Sequence, residues 1–436
     1  MRLFLQRMKQ IKEISCSQQH SLPLKLLRLG KHFEHVSILN SNQYDDKYGK
    51  YELLAAFGSH RQVQASKGSF EALKKFRSEK KSWLFGHFCY ELKDQSENLH
   101  SAHPAHFDFR PLSFFEPKHL LVWKRGETTG HWFSHAPEEL KRLLEGEVEA
   151  IAPHFRSLPL KPLLSKEEYL QKVRELKKEI KYGNIYELNF CQWFQAASKI
   201  DPEAYFAALN EKSPMPFSAF YRQHDDYLLC ASPERFMCKR DRKLICQPIK
   251  GTAKRSMDPE MDRQIAQELR ADLKEQTENV MIVDLMRNDL SRTASRGSVK
   301  VEELFGVYTF PQVHQLISTV TSTLDEEQDP VDAIRLAFPM GSMTGAPKIK
   351  AMQLIESLET DRRELYSGAV GYFDPDGDFD FNVVIRSLIY SAKKEFASLT
   401  VGGAITDLAE AAQEYEECLL KAKAIFELTD KAAHAQ

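Results

Sequence analysis

Residues 369–403 read AVGYFDPDGDFDFNVVIRSLIYSAKKEFASLTVGG. Two short polar turns, DPDGD (374–378) and SAKKE (391–395), separate three runs rich in aromatic and branched residues. That is the pattern of an antiparallel meander, because parallel neighbours need a crossover of a dozen residues or more. A strand is also expected at IYELNFCQWFQA (185–196). Helical periodicity appears in SKEEYLQKVRELKKEIKYG (165–183), with Ser165 placed as N-cap and Gly183 at the end. It continues unbroken through MDRQIAQELRADLKEQTENVMIVDLMRNDL (261–290) and returns in AEAAQEYEECLLKAKAIFEL (409–428). Long antiparallel strands flanked by helices predict an α+β fold, not a doubly wound parallel sheet.

The chain has 436 residues, 42% hydrophobic and 28% charged, enough for an ample core. Sixty Lys+Arg against 62 Asp+Glu leave a formal charge of -2, so no global field draws it to nucleic acid or membrane. The basic patch CKRDRK (238–243) carries no aromatic platform and reads as a solvated hairpin end. Seven cysteines (Cys16, Cys89, Cys191, Cys230, Cys238, Cys246, Cys418) include no CxxC pair, which suits reduced thiols. With no apolar stretch of 18 residues and no signal-like start, the expected location is the cytoplasm. The proline-bearing segment 152–169 marks an expected boundary between an N-terminal subdomain, 1–160, and a larger one, 161–436.

Chemistry-bearing residues gather in the second part. Glu275 and Glu278 are spaced i, i+3, as are Glu414 and Glu417, with Lys421 four residues further on. Each helix alone reads as a solvated face. Glu278, however, runs straight into the apolar VMIVDL, and a carboxylate at a core edge needs a partner. Mg²⁺ held by one or two carboxylates and an anionic substrate group would supply one. GSMTGAPK (341–348) is not a phosphate loop, since it lacks GxxxxGK[ST]. It resembles a helix start, with Thr344 or Gly345 near the cap and Pro347 in the first turn, where an anion could bind. A capped helix and nothing more fits that stretch equally well. In FDFNVVIRSLIY (379–390) strand parity sets Asn382, Val384 and Arg386 on one face, and an arginine in so apolar a run calls for a carboxylate. Glu234, after the Ser-Pro of ASPERF (231–236), is a candidate general acid, with an ion pair to Arg235 as the plain alternative. Lys250, in QPIKGTAK (247–254), is either a surface charge or an amine held for reaction. Together these groups suit a small polyanion, most simply a dicarboxylate, undergoing substitution or elimination.

Eight segments in this order resemble the chorismate-utilising enzymes, whose branches make anthranilate, aminodeoxychorismate, isochorismate or salicylate. They are SPERF (232–236), PIKGT (248–252), ENVMIVDLMRNDL (278–290), FPQVHQLIST (310–319), GSMTGAPK, SGAVGYF (367–373), FNVVIRSL (381–388) and EYEECLLK (414–421). The resemblance covers roughly 165–430 and is weaker before 160, where WLFGHFCYELK (83–93) corresponds. It implies an α+β fold of large antiparallel sheets packed face to face with helices outside. It also implies Mg²⁺ held by Glu278 and Glu417, with Glu275 and Glu414 close behind them, and Glu234 protonating the departing C4 hydroxyl of chorismate. Arg386, Lys421, Gly402 and Gly403 would hold carboxylates, and Thr252, His314, Thr344 and Tyr372 would line the site.

Lys250 separates the branches. Anthranilate formers resemble PIAGT at this motif, whereas PIKGT is the aminodeoxychorismate form, whose lysine attacks C2 of chorismate before ammonia adds at C4. That role requires a neutral amine, so the site is expected to lower the pKa of Lys250. Isochorismate and salicylate formers carry a water-activating lysine where this chain has Glu187, and the aminodeoxychorismate branch usually has glutamine there. VGGAITDLAE (401–410) departs from the family pattern AGGGIVADS, and the Cβ of Ala404 stands where a third glycine is usual. No Cys-His-Glu amidotransferase motif is present, so ammonia would come from a separate glutamine amidotransferase or from free ammonium. The reading is therefore C4 amination of chorismate for p-aminobenzoate and folate synthesis. The alternatives are anthranilate formation and a non-catalytic chorismate-binding subunit.

Overall fold

The computed structural model describes residues 8–15, 22–97, 99–146, 158–310 and 313–431. Every strand pairing among them is antiparallel. One layer runs from Leu112–Lys124 through Tyr51–Ala65, His35–Asn40, Phe217–Gln223, Asp226–Ser232, Ser387–Ser391 and Phe396–Ile405 to Glu187–Ala197. The other also starts from Leu112–Lys124. It passes through Leu84–Phe88, Ala369–Phe373, Phe379–Asn382, Arg235–Arg240 and Lys243–Gln247 to Val313–Thr323 and Ile249–Lys254.

The two layers bury their facing sides in one core that includes Phe88, Phe114, Trp193, Cys230, Met237 and Phe381. The far side of the first layer, with Phe190, Phe194, Phe220 and Leu229, is covered by helices Leu22–Gly30, Lys166–Lys181, Pro202–Lys212 and Ala411–Lys431. Helix Leu273–Ser291 lies against Val313–Thr323 of the second layer. This is the expected α+β architecture. Hydrogen bonding crosses the expected boundary near residue 160, because His35–Asn40 pairs with Phe217–Gln223 and Leu84–Phe88 with Ala369–Phe373. Residues 152–157 of the proline-bearing segment, like Cys16, lie outside the described residues. The other six cysteines are free and buried. No helix among the described residues is long and apolar enough to cross a membrane.

Two continuous runs of sequence are broken by the fold. FDFNVVIRSLIY is two strands, Phe379–Asn382 and Ser387–Ser391, which belong to different layers. The chain changes layer between Asn382 and Ser387, where Arg386 takes a φ of 51° that an extended strand cannot accommodate. The helical run 261–290 is likewise two helices, Pro259–Ala271 and Leu273–Ser291. Asp272 interrupts it with extended backbone and caps the second helix, accepting from the amides of Lys274 and Glu275. Ser165 is the N-cap, as the sequence predicted, and it forms a full capping box with Glu168.

Candidate active site

Lys250 is buried on the strand Ile249–Lys254, and its ammonium pairs directly with Glu187 at the start of Glu187–Ala197. Gly251, at φ 85°, lets this strand turn against Glu275, with a Cβ position only 3.1 Å from its carboxylate oxygen. Gly345 lies closer still to the other side of the pair: a Cβ there would collide with the Glu187 carbonyl. Backbone pairing of Gly345–Ala346 with Glu187 and Leu188 thus holds Glu187 in place. Burial alone would favour the neutral amine of Lys250, but Glu187, Glu278 and Glu234 outweigh it and raise its pKa. The expectation of a lowered pKa is corrected: this lysine rests as an ammonium because carboxylates, not cations, surround it.

Glu234 precedes the strand Arg235–Arg240 and is 5% exposed. Burial pushes its carboxyl up to about 7, against an opposing hydrogen bond from Ser342 at 2.8 Å and the charges of Lys250 and Arg386. Arg235 does not pair with it, since that guanidinium binds Asp46 and Asp380. Arg386 has no ion pair among the described residues, and burial lowers its pKa to about 10 against the pull of Glu234. A half-buried guanidinium without a carboxylate in contact is suited to an anionic ligand.

The carboxylates of the two helices converge beside Lys250. Burial pushes Glu278 and Glu414 each up to about 7, and Glu275 is raised as well. One oxygen of Glu278 is buried without a hydrogen bond, and Lys274 stands 3.8 Å from it. Glu417 is half-exposed and is held below the usual range by Lys421 at 2.7 Å. Lys421 also donates to the Gly402 carbonyl at 2.9 Å, and a Cβ on Gly403 would stand 3.0 Å from Glu414. Ala404 pairs with Asn189 without a break in register. Lys274 and Ser342 were not among the sequence candidates. Lys274 sits four residues before Glu278, a spacing that could have revealed it.

The remaining candidates are placed as follows by the fold. Thr344 is outside the helix, which starts at Lys348; its hydroxyl donates to the Met340 carbonyl at 3.1 Å. Thr252 is exposed beside Lys250, across the ladder from Gln315. Both ring nitrogens of His314 are engaged, by Thr309 and by Asp262 at 3.0 Å each, so neither is left for a ligand. Tyr372 points elsewhere: it packs edge-on against Tyr51 and lines a separate cavity with Lys50, Arg235 and Asp380. Alternation along the strand Ala369–Phe373 faces Val370 and Tyr372 to that cavity.

Paired sheets bring carboxylates, a lysine and an arginine together, an arrangement suited to an anionic ligand. The profile of the chorismate binding enzymes matches residues 32–427, and the chain belongs to that family. It is 43% identical over 258 residues to aminodeoxychorismate synthase component 1 of Salmonella typhimurium, covering 59% of this chain and 56% of that one. With the protein of the same name from Klebsiella aerogenes it shares 37% identity over 342 residues, 78% of this chain and 75% of the relative. Anthranilate synthase component I of Streptococcus pneumoniae superposes with a TM-score of 0.78 at 24% identity, over 88% of this chain and 93% of that one. The menaquinone-specific isochorismate synthase of Escherichia coli gives 0.76 at 18% identity, over 93% and 91%.

Proposed function

We propose that this chain replaces the C4 hydroxyl of chorismate by ammonia, giving 4-amino-4-deoxychorismate for p-aminobenzoate and folate synthesis. The observation that carries the reading is a buried Lys250 beside Glu234, an acid whose pKa near 7 leaves it protonated in part at neutral pH. The named relatives, aminodeoxychorismate synthases, support the same reaction.

In this reading the neutral Lys250 amine forms a bond to C2, the ring's diene electrons move toward C4, and the C4–O bond breaks. Glu234 gives its proton to the departing hydroxyl, which leaves as water. Ammonia then bonds to C4, the electrons return, and the C2–N bond to Lys250 breaks. Arg386 and Lys421 hold carboxylates of the substrate, with the backbone at Gly402 and Gly403.

The Glu278 oxygen left without a hydrogen bond and the raised Glu275, Glu278 and Glu414 fit a divalent cation. Glu278 and Glu417 would hold Mg²⁺, with Glu275 and Glu414 behind them. Bound there, it would supply positive charge for a substrate carboxylate. Ammonia would come from a separate glutamine amidotransferase or from free ammonium, and the buried free thiols suit the cytoplasm.

The test is a product assay with chorismate, Mg²⁺ and ammonium at alkaline pH. The expected product is one that an added aminodeoxychorismate lyase converts to p-aminobenzoate. Anthranilate, or unchanged chorismate even with an amidotransferase supplied, would overturn the reading.

A further inference from the structure

We propose that Glu187 is the proton acceptor for Lys250: it takes the proton that frees the amine for attack and returns it when the lysine departs. The inference rests on the reaction proposed above and adds to it a residue that acts only through Lys250.

The need for such a group follows from the site. Lys250 is buried as an ammonium, and an ammonium has no lone pair with which to attack carbon. Its proton therefore has to leave before the C–N bond can form. Among the described residues, Glu187 is the one carboxylate paired with it. Glu278 and Glu417 form their ion pairs with Lys274 and Lys421 instead, and Glu234 is hydrogen-bonded by Ser342.

Glu187 is also built as an acceptor. It is 1% exposed, one oxygen contacts Lys250, and the other is buried without a hydrogen-bond partner. A carboxylate bound by several donors is a poor base; one stabilised by a single ammonium gives up less on protonation. The Gly345–Ala346 bridge fixes its backbone, so the pair is oriented before substrate arrives.

Proton and electron counts close. The pair begins as ammonium and carboxylate and becomes amine and carboxylic acid. The amine lone pair makes the bond to C2 while Glu234 protonates the leaving hydroxyl. After ammonia adds at C4, lysine leaves C2 as the amine and recovers its proton from Glu187, while the ammonium formed at C4 gives one proton back to the Glu234 carboxylate.

The pair lies in a strongly charged setting. Glu234, Glu275, Glu278, Glu414 and Glu417 face it, with Lys274, Lys421 and Arg386 opposing them. A pH profile of the parent alone would therefore mix their titrations, so the test compares variants.

Glu187→Gln keeps size and removes the base. Steady-state synthesis would be followed from pH 7 to pH 9 in the parent, Glu187→Gln, Glu187→Asp and Lys250→Ala, and in the Glu187→Gln/Lys250→Ala double variant. Glu187→Gln is expected to lose at least about ten-fold in kcat near neutral pH, with KM for chorismate nearly unchanged and the deficit shrinking as pH rises. Glu187→Asp should retain more activity than Glu187→Gln. In the Lys250→Ala background the second substitution should cost nothing further. Glu187→Gln matching or exceeding the parent at every pH, or an added loss in the double variant, would overturn the inference and leave the proposed reaction standing. A parent that makes no aminodeoxychorismate would remove both.

Discussion

Arg235 follows Glu234 in the sequence and Arg386 acts on Glu234 by its charge, yet the fold treats the two arginines in opposite ways. Arg235 donates to both Asp46 and Asp380, adds Gln247, and stacks 4.8 Å from the Phe217 ring. Around it Arg240 also binds Asp380, and Lys50 binds Asp374 and Asp378. Asp46 is driven below its ordinary pKa by Arg235, whose charge overcomes the cost of burial. At Arg386 no carboxylate is in ion-pair contact among the described residues, and Glu234, whose charge acts on it, is pushed up to about 7, as are Glu278 and Glu414 beside Lys250. Both regions contain buried charged groups, although Arg235 is buried and Arg386 half-buried. The difference is whether the protein itself completes each charge. A completed network holds the two layers together, whereas an incomplete one leaves charge for a ligand to complete.

The largest effect that could break this comparison is on turnover. Lys250→Ala is expected to lower aminodeoxychorismate formation by about 10²- to 10⁴-fold, with chorismate binding by calorimetry within a few-fold of the parent. Activity equal to the parent at all ammonium concentrations would mean the incomplete region has no covalent role. Next comes a paired test of the two arginines. Arg235→Ala should cost about 3–5 kcal/mol in denaturant unfolding, because it strands Asp46 and Asp380. Arg386→Ala should change stability far less and weaken chorismate binding about ten-fold or more. Equal destabilisation by both would erase the distinction.

A smaller effect sharpens the claim that burial leaves the carboxylates of the free site uncompensated. The folded pKa of Glu278 lies above its ordinary value, so the folded state binds more protons than the unfolded one between about pH 4.5 and 7. That carboxylate therefore detracts from stability as pH rises through this window. Glu278→Gln should make the metal-free protein more stable than the parent at pH 8, by about 1 kcal/mol, and nearly equal at pH 4.5. The same variant should weaken Mg²⁺ binding, read by calorimetry. The smallest expected effect is on the melting temperature of the parent. Mg²⁺ should raise it more at pH 8 than at pH 6, since protons on Glu278 and Glu414 must leave before the cation binds. A reversed order would place the cation elsewhere.

The sequence made the α+β architecture readable where alternation and turn chemistry coincide, as in DPDGD and SAKKE. It concealed two breaks because the apolar period runs straight through them. Nothing in FDFNVVIRSLIY marks the change of layer between Asn382 and Ser387, for both halves alternate and only their partners differ. The helix break had a signal in the cap Asp272, overridden by the continuous 3.6-residue period. The i, i+3 carboxylates could be read because one helix carries both members. Contact between Glu187 and Lys250 could not, since 63 positions separate them and tertiary pairing alone brings them together. Tyr372 was misplaced because its motif fixes the strand, while strand parity fixes which way the ring faces.

The most direct test of the central claim is peptide mapping of the protein after incubation with chorismate and Mg²⁺ without ammonia. The account predicts a fraction of Lys250 carrying the mass of chorismate less one water, absent in Lys250→Ala and discharged to aminodeoxychorismate when ammonium is added. Unmodified Lys250 together with a Lys250→Ala protein that still makes aminodeoxychorismate at the parent rate would contradict it.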